Sequence, residues 1–359
     1  MSFTFSKAKL LKTKSEKDIE ETSSISFKRF VLLTGLPLIF FFISLFLGRF
    51  YVSPLTVLKI LGRKVFLLPI EATWTDTAET VVMRVRVPRT IMAGVVGAGL
   101  SLSGAAFQGM FHNPLVSPFV LGVSAGAGFG AALAIIMNGS MLMIHLVAFG
   151  FGIISVIITY STSRIYKTTP ILMLVLSGMV VSTLFQSLLS LLKYTVDADD
   201  KLPAIVFWLM GSMGNIRPEN LFLAVTPIII GCTGLIMIRW RLNVLSMGEL
   251  EAKSMGVNTE LLKGIIIICT TIISSTAVAF CGIIGWVGLV IPHLCRMIVG
   301  PDHQVLLPIT IIMGSTYLII IDNLSRIISP TEVPLGILTA LVGAPFFAYL
   351  LRKTKGGWN

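Results

Sequence analysis

The sequence predicts an all-α fold, a polytopic membrane bundle of about ten transmembrane helices with both termini on the cytoplasmic side. Three observations lead there. The 359-residue chain is 55% hydrophobic and only 13% charged, with a mean hydropathy of +0.90, whereas about a quarter of a soluble domain's residues are charged. Apolar runs recur from residue 30 to residue 351 with no polar module between them, so one membrane domain fits better than two soluble ones. Most runs approach the ~20 residues that a helix needs to cross hydrocarbon while satisfying its own backbone polar groups.

The runs are 30–48, 89–110, 118–137, 144–163, 170–193, 221–239, 263–281, 284–299, 305–323 and 334–351. The eighth is short and contains Pro292. Only Gly282 and Gly285 separate it from the seventh, so nine spans is the alternative count. The first run is longer than a signal-peptide core and has no small-x-small cleavage site, which makes it an uncleaved span. The expected organisation is a polar tail over 1–29, a single transmembrane domain over 30–352 and a short tail over 353–359.

Lys and Arg set the orientation. With the termini inside, 17 of the 28 basic residues face the cytoplasm. Seven of the other 11 crowd into 49–89, a basic outer stretch that needs a reason. Ser53-Pro54 opens this stretch as a helix start and predicts a short interfacial helix; Pro88 suits the first turn of the second span. The segment 202–218, with Trp208, is a second external candidate. Small residues at every fourth position, Gly97-Ser101-Ala105 and Gly122-Gly126-Gly130, predict close helix contacts. The net charge of +11 sits in the gaps between apolar runs, which suits an anionic lipid surface and excludes a nucleic-acid module.

The chemistry-bearing motifs are mostly exclusions. There is no G-x-x-x-x-G-K-[ST], so the chain carries no P-loop of its own, and there is no H-E-x-x-H. Gly122-Val123-Ser124-Ala125-Gly126 matches G-x-S-x-G, but a nucleophile elbow needs a preceding strand, so an intramembrane serine protease is the weak alternative. The run 126–130 is not a dinucleotide fingerprint. His293 and His303 have only Asp302 nearby, and Cys232, Cys269, Cys281 and Cys295 form no C-x-x-C, so neither a metal site nor a cofactor is expected. An ion-coupled carrier would ordinarily place a carboxylate at mid-membrane. The carboxylate Asp322 instead sits at the outer end of the ninth span, four residues from Arg326 and able to pair with it.

The longest predicted cytoplasmic loop is 240–262. Leu245, Gly248, Ala252 and Met255 fall on one face of a short helix, with Gly256 as its stop. Proline at Glu249 is expected to break that helix.

Four stretches then resemble the permease family of iron-siderophore, haem and cobalamin ABC importers. They are Arg86-Val87-Pro88-Arg89 with Gly97 to Gln108; Asn113-Pro114-Leu115 through Gly126; Leu245-Ser246-Met247-Gly248-Glu249 through Gly256; and Gly285 through His293, continuing into Gly300-Pro301-Asp302-His303, Pro334 to Ala340 and Gly343-Ala344-Pro345-Phe346. The resemblance implies a transport subunit without enzymatic activity, in a cell membrane, paired with a second copy or a similar subunit. It implies two cytoplasmic ABC ATPases and an extracytoplasmic substrate-binding protein as partners. On the family's pattern, Arg86, Arg89 and Arg326 dock the binding protein, and Leu245, Ser246, Gly248, Glu249, Ala252 and Gly256 form the ATPase coupling loop. Thr168 and Thr169 lie at the cytoplasmic gate, although Pro170 departs from the pattern there.

Overall fold

The computed structural model describes residues 27–164, 168–329 and 331–353. The N-terminal tail as far as residue 26, Lys167 and the C-terminal tail from residue 354 lie outside the described residues.

The helices and the loops that join them make up the described residues, and each predicted apolar run contains one helix. In chain order these are α1 (Phe27–Phe46), α2 (Pro54–Lys64), α3 (Asp76–Thr80), α4 (Val87–Phe111), α5 (Val123–Ile136), α6 (Met141–Ser163), α7 (Ile171–Thr195), α8 (Lys201–Met210), α9 (Pro218–Met237), α10 (Arg239–Leu245), α11 (Glu249–Ser254), α12 (Thr259–Cys281), α13 (Val287–Val299), α14 (His303–Ile327) and α15 (Leu335–Lys353). Among the described residues, six continuous helical stretches are long and apolar enough to cross a membrane: Asp76–Phe111, α6, α7, α9, α12 and α14. Shorter apolar helices include α5, α8 and α13.

The expected interfacial helix is α2, which Ser53 caps by accepting from the Thr56 amide at 3.2 Å. The segment 202–218 contributes the short apolar helix α8. Pro88 falls in the first turn of α4, but the chain does not start there. A π-helical turn, Val81–Arg86, joins α3 to α4. Pro88 has no amide to donate and its ring crowds the carbonyl of Arg84, so the turn before it widens. Two spans start later than expected. Residues 118–121 form turns and Gly122 is left-handed at φ 88°, so α5 begins at Val123. Gly282 at φ 68° and Trp286 at φ 66° end α12 and delay α13 to Val287, which separates the seventh and eighth runs.

Helix α4 runs through the centre of the fold; from Leu100 to Phe111 every residue is buried. It lies antiparallel to α14. A Cβ on Gly97 would come within 2.2 Å of the Gly314 carbonyl oxygen, and Ser101 Oγ donates to the Thr310 carbonyl at 2.7 Å. The predicted small-residue face is therefore the α4–α14 seam. Gly126 and Gly130 likewise let α5 rest on the backbone of α6 at Phe151 and Val147. This packing fixes two polar clusters at opposite ends of α4, about 37 Å apart by its length.

Candidate functional site

The first cluster lies at the predicted outer end. Arg86, Arg89 and Arg326, expected as accessible docking charges, are all buried, at 3%, 2% and 7% exposure. Arg89 donates from Nε to Asp322 Oδ1 at 2.8 Å and from Nη1 to Glu332 Oε1 at 2.7 Å. Arg326 Nε sits 3.3 Å from Asp322 Oδ2, the expected one-turn pair, and its Nη2 donates to Ser44 Oγ at 2.7 Å and to Asn323 Oδ1. Arg86 Nη1 donates to the Leu45 carbonyl at 2.7 Å, and its Nη2 donates to that of Phe50. Helix ends leave carbonyls without intrahelical donors, and a cation complements their dipole. The basic outer stretch is thus partly internal structure: its arginines tie α1, α4 and α14 together. Glu332, on the loop before α15, is the exposed member of the cluster.

The second cluster is the 239–263 loop. It is not one helix with a single apolar face. Gly248, at φ 140° and ψ 152°, breaks it into α10 and α11. Leu245 and Ala252 are fully buried, Ser246 is half-buried, and Met255 is exposed. Gly256, left-handed at φ 79°, ends α11 as expected. Glu249 is the first residue of α11, a position that accepts proline, so Glu249→Pro is not the helix breaker that the sequence suggested. The loop is anchored from below. Leu245 O lies 2.8 Å from His112 Nε2 just beyond α4, and Asn243 Nδ2 donates to Asp302 Oδ1 at 3.1 Å before α14. Above these anchors stand the exposed apolar side chains Met247, Leu250 and Met255.

Glu249 is held by two lysines, Lys253 Nζ at 2.9 Å and Lys263 Nζ at 2.8 Å. Burial pushes its carboxyl up, but the hydrogen bonds from Lys263 and Lys253 outweigh that and hold it below its ordinary value. Lys263 was not singled out from the sequence. The available signal was a lone cation at the head of an apolar run with Glu260 one turn earlier. Of the gate candidates, Thr168 is exposed and Thr169 is buried, its carbonyl accepting from Lys263 Nζ at 3.1 Å. Ser124 lies in the first turn of α5, after turns and not after a strand, so G-x-S-x-G builds no nucleophile elbow here.

A multi-pass apolar bundle with a structured, partly apolar loop at one end has the form of the membrane-spanning subunit of an ABC importer, a transport component and not an enzyme. The chain matches the FecCD transport family over residues 36–353 and belongs to it. It is 43% identical over 330 residues to the molybdate import system permease protein MolB of Haemophilus influenzae, covering 91% of this chain and 96% of that one. It is 36% identical over 288 residues to the cobalamin import system permease protein BtuC of Halobacterium salinarum, covering 80% and 77%. A solved ABC transporter described as of metal-chelate type, in an inward-facing conformation, superposes with a TM-score of 0.80 at 41% identity, covering 91% and 99% of the two chains. A permease of this class is an integral membrane protein that works with ATPase and permease partners.

Proposed function

We propose that this subunit imports a metal-containing solute, either a chelate (iron-siderophore, haem or cobalamin) or a small oxyanion such as molybdate. Transport proceeds by ATP-driven alternating access after delivery by an extracytoplasmic binding protein. The observation that carries this reading is the 245–256 loop, which, with Asn243 just before it, is pinned to His112 after α4, to Lys263 of α12 and to Asp302 before α14, while Met247, Leu250 and Met255 project outward. An exposed apolar patch on an anchored support is a docking surface, and here the occupant is the ATPase. The names of the relatives support both solute classes. Proteoliposomes holding permease, ATPase and binding protein are expected to take up one of these solutes only with ATP. Uptake driven by a proton or sodium gradient without ATP would replace this reading with an ion-coupled carrier.

Leu250 is 78% exposed. Leu250→Asp is expected to leave insertion intact and to weaken ATPase association roughly 30-fold, the effect of losing an interface anchor worth about 2 kcal/mol. Titration of the ATPase onto reconstituted permease checks this; an unchanged affinity removes the patch from the interface.

Docking of the binding protein at the arginine cluster is part of the same proposal, in a form that respects burial. A carboxylate of the binding protein reaches Arg89 by displacing the exposed Glu332. Glu332→Gln, which weakens the internal competitor, is then expected to tighten binding-protein association, and by less at high salt because exposed charge pairs are screened. Association rates measured at two ionic strengths decide it; slower or unchanged association argues for a purely structural cluster.

A further inference from the structure

We propose that Lys263 is a positioning residue for transport, a buried strut that makes the segment at Thr168 and Thr169 follow the movement of α11. The inference rests on the reading above, in which the 245–256 loop meets the ATPase and Thr168–Thr169 is the cytoplasmic gate.

Lys263 is one turn into α12 and 1% exposed, among the largest fully buried side chains of the described residues. Its ammonium has three donors and three acceptors: Glu249 Oε2 at 2.8 Å, Glu260 Oε1 at 3.1 Å and the Thr169 carbonyl at 3.1 Å. The acceptors come from three pieces of chain. Glu260 shares its helix, Glu249 is the first residue of α11, and Thr169 lies 94 residues earlier in the segment just before α7. The group of Lys253, Lys263, Glu249 and Glu260 is electrically neutral as a whole.

A buried ammonium is costly to leave without partners, and hydrogen bonds fail beyond about 3.2–3.5 Å. If α11 shifts by an ångström or more, Lys263 must either move with Glu249 and pull on the Thr169 carbonyl, or surrender a charge-assisted bond to a buried ammonium. A lysine stem has little alternative there, because its side chain is 1% exposed and cannot turn to water. A buried ion pair serving stability alone needs only its carboxylates. Here the third donor is spent on the backbone of the gate segment, and that contact makes a local pair into a mechanical link. Met in place of Lys263 keeps most of the stem and breaks the path from Glu249 to the Thr169 carbonyl, leaving only the Glu260–Thr169 contact on the α12 side, while Arg keeps the charge and enough donors for all three acceptors.

The test uses the full transporter with its ATPase, carrying Thr168→Cys as a reporter and subtracting the labelling of the parent protein with its four native cysteines. The rate of modification by a membrane-impermeant maleimide is measured with and without ATP and vanadate. With Lys263 present, nucleotide is expected to change that rate about fivefold or more, a typical size for coupling between distant sites. Lys263→Met, read in complexes that still co-purify with the ATPase, is expected to bring the ratio close to one, and Lys263→Arg to restore it. An undiminished ratio in Lys263→Met overturns the strut. If Lys263→Met does not assemble, Glu249→Gln is read in the same way, and an undiminished ratio there overturns it equally. Absence of any nucleotide effect in the Thr168→Cys parent overturns the gate assignment and the strut with it. Retained ATPase affinity in Leu250→Asp, by contrast, would fail the docking reading, a result distinct from an undiminished labelling ratio in Lys263→Met.

Discussion

Asp322→Ala is expected to destabilise the folded subunit by about 3–5 kcal/mol, the usual cost of removing one member of a buried ion pair. Asp322 is fully buried and faces two guanidinium groups, Arg89 at 2.8 Å and Arg326 at 3.3 Å. Its loss leaves Arg326 with neutral acceptors only, at Ser44, Asn323 and main-chain oxygens. Arg89 retains Glu332, so the unpaired cation is Arg326 and the strain falls between α14 and α1. Removing the unpaired cation as well separates charge from packing: Asp322→Ala combined with Arg326→Met is expected to recover part of the loss, because replacing a buried pair by apolar groups is often close to neutral. Thermal unfolding in detergent, followed by loss of the monodisperse peak, gives the ranking. A single variant as stable as the parent, or a double variant worse than the sum of the two singles, contradicts the assignment of Asp322 as the electrostatic centre of this end.

The sequence makes the helices legible because each is long, apolar and punctuated by Gly, Pro or charge. It makes the pairing across helices legible only where one helix carries both partners. Asp322 and Arg326, four apart, are such a case. Arg89 and Asp322, separated by 233 positions, are not; the resemblance that implies docking at Arg89 says nothing of this internal partner. An arginine at the end of a span reads as exposed when its carboxylate is on a remote segment. The loop misreading has a different cause. The spacing of Leu245, Gly248, Ala252 and Met255 fits one helical face only if the helix is continuous, and Gly248 was counted as a member of that face. Its backbone, at φ 140° and ψ 152°, lies in a region essentially reserved for glycine. The residue that completed the pattern is the residue that ends it. Lys263 escaped notice because position alone makes it an ordinary snorkelling lysine. Only burial, and the Thr169 carbonyl above it, distinguish it from one.

Gly104→Ala is expected to cost about 3 kcal/mol or more and to lower the yield of folded protein, although it adds a single methyl group. Overpacking a tight core ordinarily costs ~1–3 kcal/mol, and relief requires something to move. At Gly104 what would have to move is backbone. A Cβ there would lie 1.7 Å from the Gly288 carbonyl oxygen and 2.7 Å from Gly288 Cα, so α4 and α13 would have to separate as bodies. The contact is reciprocal, since a Cβ on Gly288 would come within 2.6 Å of the Leu100 carbonyl. Separation also opens the polar bridge beside it, in which Gln108 Nε2 donates to the Gly288 carbonyl at 3.3 Å and Arg296 Nη2 donates to Gln108 Oε1 at 2.6 Å. Arg296 would then be a partly buried cation lacking its side-chain acceptor. Gly150→Ala provides the control: it lies mid-helix in α6 with nothing within 4 Å of the added Cβ, and helix propensity alone predicts a gain of up to ~1 kcal/mol. Opposite shifts in unfolding temperature for the two glycines are the expected result. Equal shifts would mean that α4 and α13 do not meet at Gly104 and Gly288.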